Sequence, residues 1–391
     1  MKILIISFYY EPDLCPGSFR TTSFVKALNS FLKDEDVIEV VTTLPNRYSS
    51  FAIAANEFEV QGKIRIRRIK IPLHKSGFYD QAKSFFVYFI KTLTYVRREK
   101  YDVIFATSSR LFSAFLGAII ARYKKAPLYL DIRDIFTDTM RYVLRKSKKK
   151  HVISLLVFIE KFTIRSANNV NLVSPGFVSY FRERYGQNLK CSIYSNGIDE
   201  EFLHFKSSNI LLNKEKRIRM TYTGNIGEGQ GLEKIVPQIA QRYPNIDFYI
   251  IGDGGQKKVL LTSTAKCHNV RLLNPVNRRE LIDHYEKSDI LFFQLNDYDA
   301  FKRVLPSKIF EYAATLKPII AGVDGFARRF LEEHLPDAMI YKPCDIDGFC
   351  HEFDQFNGRV DIEKRRVFIN KYSRKNIMKA MTLDLLSLLE S

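Results

Sequence analysis

The stretch VLPSKIFEYAATLKPIIAG (residues 304–322) decides the fold, because it predicts a turn, a short helix and a buried strand in close succession. Pro306 and Ser307 mark a helix start, and Pro318 ends that helix before the apolar run IIAG. The preceding run DILFFQL (residues 289–295) is apolar enough to be an interior strand. Strand, helix and strand in this order predict one repeat of a parallel α/β sheet.

The same stretch carries groups that can bind a nucleotide. Glu311 falls about one turn inside the predicted helix. Free backbone N–H groups at a helix N-terminus attract phosphate oxygens, and a carboxylate one turn further in can accept hydrogen bonds from a ribose diol. Taken alone, the stretch fits an ordinary amphipathic helix with a solvated glutamate better.

Strand and helix patterns alternate along the chain, and the alternation starts twice. The apolar runs of the first series are KILIISF, VIEVVTT, IRIRRIK, YDVIFAT, APLYLDI, NNVNLVS and KCSIYSN, and those of the second are RIRMTYTG, IDFYIIGD, VRLLNPV, DILFFQL, KPIIAG and AMIYKP. We therefore predict two doubly wound, Rossmann-like α/β domains facing a central cleft. Their predicted bounds are 1–199 and 200–370, and a C-terminal helix over 371–391 could return to the first domain.

Each predicted domain opens with a strand that runs into a loop of small residues. Gly17 lies in the first loop, and Gly224 and Asn225 begin the second, GNIGEGQG. Glycine lets a loop backbone approach a ligand closely. In open α/β sheets the ligand crevice lies beyond the carboxyl ends of the strands. The two loops together predict a cleft that binds two ligands.

The composition excludes several classes of protein. Hydrophobic residues at 46% exclude a generally disordered chain. The five cysteines form no C-x-x-C pair and the seven histidines no H-E-x-x-H motif, so we expect neither a disulfide framework nor a zinc site. Asp297 and Asp299 have D-x-D spacing, but we interpret them as loop acids and expect no metal and no other cofactor. A reducing cytoplasm fits best.

A net charge of +18 predicts an anionic partner. No apolar run is long enough to span a bilayer. Residues 82–100 combine an apolar stripe (Phe85, Phe86, Phe89, Leu93, Val96) with four cations (Lys91, Arg97, Arg98, Lys100). Residues 141–165 place Arg145, Lys146, Lys148, Lys149 and Lys150 before VISLLVFIEKF. Such segments predict attachment to an anionic membrane surface, unless the stripes are core and the cations a solvated face.

Several segments, in this order, resemble those of one enzyme family. The runs YTGNIG, QGLEKI, YIIGDGG and VLPSKIFEYAATLKPIIAG resemble the donor-binding domain of retaining nucleotide-sugar glycosyltransferases with the GT-B fold. The branch is similar to the family 4-like transferases that build bacterial capsule and O-antigen units on a lipid carrier. In the first half, FYYEPDLCPGSFR resembles the acceptor loop, LDIRDIFTD an Asp-x-Arg-Asp segment and YSNGID the domain junction.

The resemblance implies retaining transfer of a sugar from a nucleotide diphosphate, with UDP expected, to a lipid-linked saccharide. It places the enzyme in the cytoplasm, on the periphery of the inner membrane. A nucleotide-sugar 2-epimerase of the same fold is the nearest alternative. A nucleic-acid-binding protein is the alternative from another class, and it would interleave basic residues with exposed aromatics along one groove. Here the strongest basic run adjoins an aliphatic one, so we expect no nucleic-acid partner.

The resemblance also implies roles for individual residues. Glu311 would bind the donor ribose, and the backbone amides of Ser307 and Lys308 would bind the diphosphate. Gly224 and Asn225 would line the same pocket. The segment that ends at Val276 would edge the base, and Gly17 would face both the donor phosphate and the acceptor.

Two departures from the family pattern concern charge. The wider family carries a Glu, seven residues and a second Glu, and the first of these positions is Arg303 here. Its phosphate-binding Arg and Lys align with the neutral Asn225 and Gln230. A leaving diphosphate still needs positive charge, so the candidate cations are Lys302, Arg303, Lys308 and Arg20. Weak or absent activity is the alternative.

Two aspartates of the first domain are candidates for a catalytic base. Asp131 and Asp134 are the acids expected on a loop just past a strand of the first domain, where a base could lie. Asp134 could equally pair with Arg133. The resemblance implies front-face attack in which the departing phosphate assists deprotonation, and a dedicated protein base is then unnecessary.

Overall fold

The computed structural model describes residues 1–46, 54–72, 78–108, 111–143, 150–203, 205 and 216–390 of the chain. These residues belong to two compact units. The first unit combines Met1–Asn196 with Lys375–Ser391, and the second is Gly197–Arg374. Each unit contains one sheet. The paired strands are parallel, except for one antiparallel edge strand in the first sheet. The expected α/β class is confirmed.

Eight strands build the sheet of the first unit: β1 (Lys2–Ile6), β2 (Val37–Thr43), β3 (Phe58–Gln61), β4 (Ile64–Ile69), β5 (Val103–Thr107), β6 (Leu128–Ile132), β7 (Asn169–Leu172) and β8 (Cys191–Ser192). Their order is β3-β4-β2-β1-β5-β6-β7-β8, and β3 is antiparallel to β4. Both β5 and β6 are buried along their whole length, as in parallel sheets covered on both faces. The apolar patterns do not predict β3, because it is mostly exposed.

The helices of the first unit follow its strands along the chain. They are α1 (Pro16–Asn29), α2 (Phe78–Val96), α3 (Leu111–Lys124), α4 (Phe136–Val143), α5 (Lys150–Arg165) and α6 (Val178–Tyr185), with a 3-10 helix over Pro175–Phe177.

Six parallel strands build the sheet of the second unit: β9 (Ile218–Asn225), β10 (Ile246–Asp253), β11 (Val270–Leu273), β12 (Ile290–Gln294), β13 (Ile319–Gly322) and β14 (Met339–Tyr341). Their order is β11-β10-β9-β12-β13-β14. The helices are α7 (Val236–Arg242), α8 (Lys257–Ser263), α9 (Arg278–Glu286), α10 (Lys308–Ala314), α11 (Gly325–His334), α12 (Ile346–Gln355) and α13 (Ile362–Lys371), and 3-10 helices cover Glu200–Phe202, Leu232–Lys234 and Asp299–Arg303.

The stretch 304–322 folds as the sequence predicts. Helix α10 begins at Lys308, directly after the Pro306–Ser307 turn, and strand β13 is the run IIAG. The four residues of β13 are buried, which agrees with the interior strand expected from its apolar sequence.

The C-terminal helix α14 (Arg374–Leu386) packs on the first unit, and a 3-10 helix over Ser387–Leu389 follows it. Met378 and Met381 are buried in one cluster with Phe24 of α1. The carboxylate of Asp384 accepts hydrogen bonds of 2.5–2.8 Å from side chains of β6, β7 and β8. Apolar packing and a polar anchor therefore hold the helix against this sheet.

The apolar stripe predicted on residues 82–100 partly faces the protein core. Phe85 and Val96 are 8% and 2% exposed, and the ring of Phe85 lies 6.2 Å from that of Phe8. The expectation of a membrane-facing stripe is wrong for these two residues, because helical spacing alone does not distinguish core from lipid. The predicted basic run over residues 145–149 lies outside the described residues.

Candidate functional site

The carboxyl ends of β9 and β12 lie where the strand order of the second sheet reverses. Open α/β sheets bind their ligands at such a reversal. Gly224 and Asn225 end β9, and the segment after β12 leads into α10. The structure therefore brings the predicted glycine loop and the predicted helix to the same edge of one sheet.

Two glycines let β9 and β10 run side by side at this edge. Gly224 has a φ of +121° and Gly252 a φ of +154°, a region that side chains disfavour. A Cβ atom at Gly252 would lie 1.8 Å from the carbonyl oxygen of Gly224. Since the backbone fixes the position of a Cβ atom and the oxygen is itself a backbone atom, no side-chain rotation could relieve the overlap.

Lys308, the first residue of α10, directs its ammonium group to the glycine loop. A Cβ atom at Gly224 would lie 3.1 Å from Lys308 Nζ, which is 4.9 Å from the centroid of the Tyr222 ring. Burial lowers the pKa of the Lys308 ammonium to about 8, against the opposing effect of the Glu311 charge. A desolvated cation beside a glycine loop is a candidate anion ligand.

Glu311 lies one turn further along α10, and its side chain is 15% exposed. Arg278 Nη1 donates a hydrogen bond of 3.2 Å to one carboxylate oxygen, and the Tyr285 hydroxyl donates one of 3.4 Å to the other. Burial, followed by the charge of Glu311, raises the pKa of Tyr285 well above its ordinary value. The hydroxyl therefore stays protonated and remains a donor.

The glycine loop holds its two neutral amides against each other. Asn225 donates a 3.0 Å hydrogen bond to Gln230 Oε1, and the backbone N–H of Gly227 donates to the same oxygen at 3.2 Å. Gln294 at the end of β12 donates to the carbonyl of Gln230 at 3.1 Å. These contacts fix the loop to itself and to β12, and they add no charge.

Lys302 and Arg303 lie on the 3-10 helix Asp299–Arg303 that precedes α10. The exposed Lys302 ammonium pairs with the Asp299 carboxylate at 2.8 Å. This hydrogen bond raises the pKa of Lys302. Arg303 is half-buried.

Ser307 and Val276 lie close along the chain to residues of this site. Ser307 is half-buried and directly precedes α10. Val276 is half-buried in the loop between β11 and α9, two residues before Arg278. Through the contact of Arg278 with Glu311, the loop predicted to edge the base is joined to the residue predicted to bind the ribose.

The predicted site residues of the first unit have a different setting. Gly17 is the second residue of α1 and is buried. Arg20 and Asp131 are each 1% exposed and form two hydrogen bonds of 2.9 Å. Asp131 lies inside β6, so its expected position on a loop is wrong, whereas Asp134 is exposed beyond the strand.

The Arg20–Asp131 pair is electrostatically self-contained. Burial alone would raise the pKa of Asp131, but the charge and hydrogen bonds of Arg20 hold it below its ordinary value. Asp131 is therefore ionised and a poor proton acceptor. The charge of Arg20 is in turn balanced by Asp131, so Arg20 is a weaker candidate for binding phosphate.

Sequence reasoning missed the residues that hold Glu311. Arg278 and Tyr285 are 33 and 26 positions away from it along the chain, and no local pattern joins segments so far apart. One signal was present: Asn277 and Glu280 form a capping box that fixes the start of α9 at Arg278.

The part of the chain that the structure describes contains neither a metal-binding cluster nor a membrane-spanning helix. No group of three His, Cys, Asp or Glu side chains there could hold a metal ion. No described helix combines the length and the apolar character needed to cross a membrane. That the reaction needs no metal stays a prediction.

Two family models match the chain in succession. The one described as a glycosyl transferase 4-like domain matches residues 32–197, and the one described as glycosyl transferases group 1 matches residues 204–375. The WcaI protein of Escherichia coli strain K12, named for glycosyl transfer in colanic acid biosynthesis, is 26% identical over 333 residues. That match covers 78% of this chain and 74% of WcaI.

Solved structures share the fold over the whole length. Sucrose-phosphate synthase from Thermosynechococcus elongatus has a TM-score of 0.73 at 12% identity, covering 100% of this chain and 99% of its own. Anabaena HepE in complex with UDP-glucose has a TM-score of 0.70 at 15% identity, covering 99% of each chain. With the two family models, these matches confirm the expected fold and enzyme class. The chain belongs to the GT-B glycosyltransferases, and it joins a glycosyl transferase 4-like domain to a glycosyl transferases group 1 domain.

Proposed function

We propose that this glycosyltransferase moves a sugar from a UDP-sugar to a lipid-linked saccharide, with retention of the anomeric configuration, in the synthesis of a bacterial surface polysaccharide. The observation that carries the proposal is the position of Lys308 and Glu311 on one turn of α10 beside Gly224. A cation for the diphosphate and a carboxylate for the ribose are thus about 4.5 Å apart along the helix axis.

Lys308 is better supported as the phosphate-binding cation than Arg20 or Lys302. The charge of Arg20 is balanced by Asp131, and that of Lys302 by Asp299. The Lys308 ammonium instead lies against the glycine loop, and the lowering of its pKa reports partial loss of water. A cation in that state gains more from an approaching phosphate than a solvated one does.

The shared fold with HepE and the residues around Val276 both favour a uridine nucleotide. HepE was solved in complex with UDP-glucose, and this chain shares its fold. A pyrimidine base would edge the half-buried Val276, next to the helix whose first residue contacts the ribose-binding Glu311. UDP is therefore our proposed leaving group.

The similarity to WcaI and the net positive charge both favour a lipid-linked acceptor. WcaI is named for colanic acid biosynthesis, and the +18 net charge of this chain favours an acceptor carried on an anionic surface. A saccharide linked to a lipid by a diphosphate meets both conditions. We infer that the enzyme works on the cytoplasmic side of the inner membrane.

The ionic state of Asp131 argues against this residue as the base of an inverting reaction. An inverting reaction needs a carboxylate free to take the acceptor proton, and Asp131 is committed to Arg20 within β6. Front-face attack, in which the departing diphosphate assists deprotonation, needs no such residue. Asp134, exposed past β6, is the remaining candidate base of the original pair.

The proposed membrane contact involves the solvent sides of α2 and α5. Phe86 and Ile90 on α2 are 64% and 45% exposed, and Leu155 and Phe158 on α5 are 58% and 64% exposed. Exposed cations accompany them: Lys83, Lys91 and Lys161. Large apolar side chains beside cations fit the interface of an anionic leaflet.

A thermal-shift screen against UDP, GDP and ADP tests the donor, because ligand binding raises apparent stability by mass action. We expect the largest shift with UDP. The reaction is then tested by incubating UDP-sugars with lipid-linked acceptors from bacterial membranes and measuring UDP release. NMR of the new anomeric proton decides between retention and inversion. UDP release without an acceptor-linked product would contradict the proposed transfer.

A further inference from the structure

Arg278 is held on three sides. Its Nη1 donates to Glu311, its Nη2 donates to Asp199, and its guanidinium carbon lies 4.3 Å from the centroid of the buried Phe202 ring. The planar guanidinium group can satisfy two carboxylates and an aromatic face at once, which a lysine ammonium cannot do. The side chain of Arg278 is therefore fixed in one orientation.

A second buried arginine, Arg374, contacts the same Asp199 carboxylate as Arg278. Arg374 is 4% exposed, and its Nη2 donates to Asp199 at 3.3 Å and to the carbonyl of Gly197 at 2.8 Å. Two carboxylates and two guanidinium groups thus alternate in the order Glu311, Arg278, Asp199, Arg374. Burial alone would lower the pKa of Arg278, but the Glu311 and Asp199 charges raise it above the ordinary value. The row of charges is therefore balanced.

The hydrogen bonds of Glu311 leave room for two donors. A carboxylate has about four lone-pair sites. Among the described residues, Arg278 uses one on the first oxygen and Tyr285 one on the second, so each oxygen retains one. A ribose offers two adjacent hydroxyl donors, one for each oxygen. A 2′-deoxyribose offers one, and it would leave a desolvated carboxylate oxygen without a partner.

We propose that Arg278 is a positioning residue that orients the Glu311 carboxylate toward both ribose hydroxyls and so makes the site selective for ribonucleotides over 2′-deoxyribonucleotides. The inference rests on the proposed nucleotide site and adds to it the residue that sets this selectivity. Without Arg278, the carboxylate loses its partner on one oxygen and is free to turn about its terminal torsion. The distinction between one and two hydroxyl donors is then lost.

Calorimetry with UDP and 2′-deoxy-UDP tests this inference on the full-length protein and on Glu311→Ala, Arg278→Ala and Arg278→Lys. We expect the unchanged protein to prefer UDP about tenfold or more, the ratio for one hydrogen bond to a charged group. In Arg278→Ala and Glu311→Ala the preference should fall to about threefold or less. Arg278→Lys keeps the positive charge but lacks the planar guanidinium group, so its preference for UDP should lie between these limits.

These measurements distinguish a role of Arg278 in ribose selectivity from nucleotide binding at the site. Equal weakening of both ligands by the Arg278 variants, with the preference retained, would make Arg278 merely structural and overturn the inference. If Glu311→Ala loses the preference but the Arg278 variants keep it, Glu311 binds the ribose and Arg278 does not set the selectivity. If Arg278→Ala does not fold, Arg278→Lys decides, since an unchanged preference there contradicts the inference. Absence of UDP binding by the unchanged protein overturns both proposals.

Discussion

Arg20 and Asp131 form two hydrogen bonds of 2.9 Å inside the first unit, where each side chain is 1% exposed. Asn171 donates to the same carboxylate at 2.7 Å, and the carbonyls of Tyr194 and Ser195 accept from Arg20 at 2.8 and 2.7 Å. The pair therefore joins α1 and β6 to β7 and to the segment after β8. Both charges are buried, but each is fully supplied with partners.

Replacement of Asp131 should be strongly destabilising. Asp131→Ala leaves the Arg20 guanidinium buried without its counter-ion, a change that costs about 3–5 kcal/mol in comparable pairs. Urea unfolding of the two proteins measures the difference. Asp34, whose side chain is fully exposed, provides the control, and Asp34→Ala should change stability by about 0.5 kcal/mol or less. Similar values for both variants would contradict a stabilising role of the buried pair.

The contribution of Asp131 should also depend on pH in a defined direction. Its folded-state pKa lies below the ordinary value, so the ionised carboxylate stabilises the fold at neutral pH. That contribution begins to disappear as pH falls through the unfolded-state pKa of about 3.9, and it is lost below the folded-state pKa. The gap in melting temperature between the unchanged protein and Asp131→Asn should therefore be constant from pH 8 to 6 and narrow below about pH 4. A gap that widens on acidification would contradict the assignment.

Lys308 should make nucleotide binding depend on pH near 8. Burial lowers its pKa to about 8, and a bound diphosphate would raise that value because the anion favours the charged ammonium. Affinity for UDP should be nearly constant below pH 8 and fall as the free protein loses the proton above it. Calorimetry between pH 7 and 9.5 measures the dependence.

Two variants at position 308 serve as controls. Lys308→Met should weaken UDP binding about tenfold or more at pH 7, as expected for removing a contact to a charged group, and it should abolish the fall above pH 8. Lys308→Arg keeps its charge over this range and should give a flat profile. A Lys308→Met profile that still falls above pH 8 would assign the titration to another group.

Local signals explain why helix α10 and strand β13 could be predicted. Pro306, Ser307 and the buried run IIAG lie within a few residues of one another. The two residues favour a helix start and the apolar run favours a buried strand, and neither prediction depends on contacts with distant residues. The glycine loop could be predicted for the same reason. Its position at a strand order reversal depends on the sheet, but the strand that leads into it is visible in the sequence.

Long-range pairing explains what could not be predicted. Arg20 and Asp131 are 111 positions apart. From the sequence, Arg20 could be a phosphate ligand and Asp131 a base, and either could instead be part of a structural ion pair. Phe85 shows the same limit for apolar residues, because core and membrane burial require the same helical spacing. Its contact with the buried Phe8 assigns Phe85 to the protein core.

Gly252 offers a test of how closely β10 must approach the glycine loop. A Cβ atom there would overlap the Gly224 carbonyl at 1.8 Å, and the φ of +154° is unfavourable for a side chain. Gly252→Ala should therefore displace the loop and weaken UDP binding tenfold or more. Gly255, three residues on, has no atom within 4 Å of its would-be Cβ, so Gly255→Ala should bind UDP normally. Equal affinities for the two variants would separate the loop from the nucleotide site.

The exposed aromatic residues of α2 and α5 give the test of membrane binding. Phe86 and Phe158 are each 64% exposed, and insertion of a phenylalanine side chain into an apolar environment contributes about 1.5–3 kcal/mol. We expect Phe86→Ser with Phe158→Ser to reduce binding to phosphatidylglycerol-rich vesicles at least tenfold while UDP affinity stays unchanged. The matched control is Leu261→Ser with Val367→Ser in the second unit, where the side chains are 59% and 67% exposed. Binding of the unchanged protein should weaken but persist at high salt, because salt screens the lysines and not the inserted rings. Equal vesicle binding by both double variants would assign the aromatic side chains to ordinary solvent exposure and remove α2 and α5 from the membrane contact.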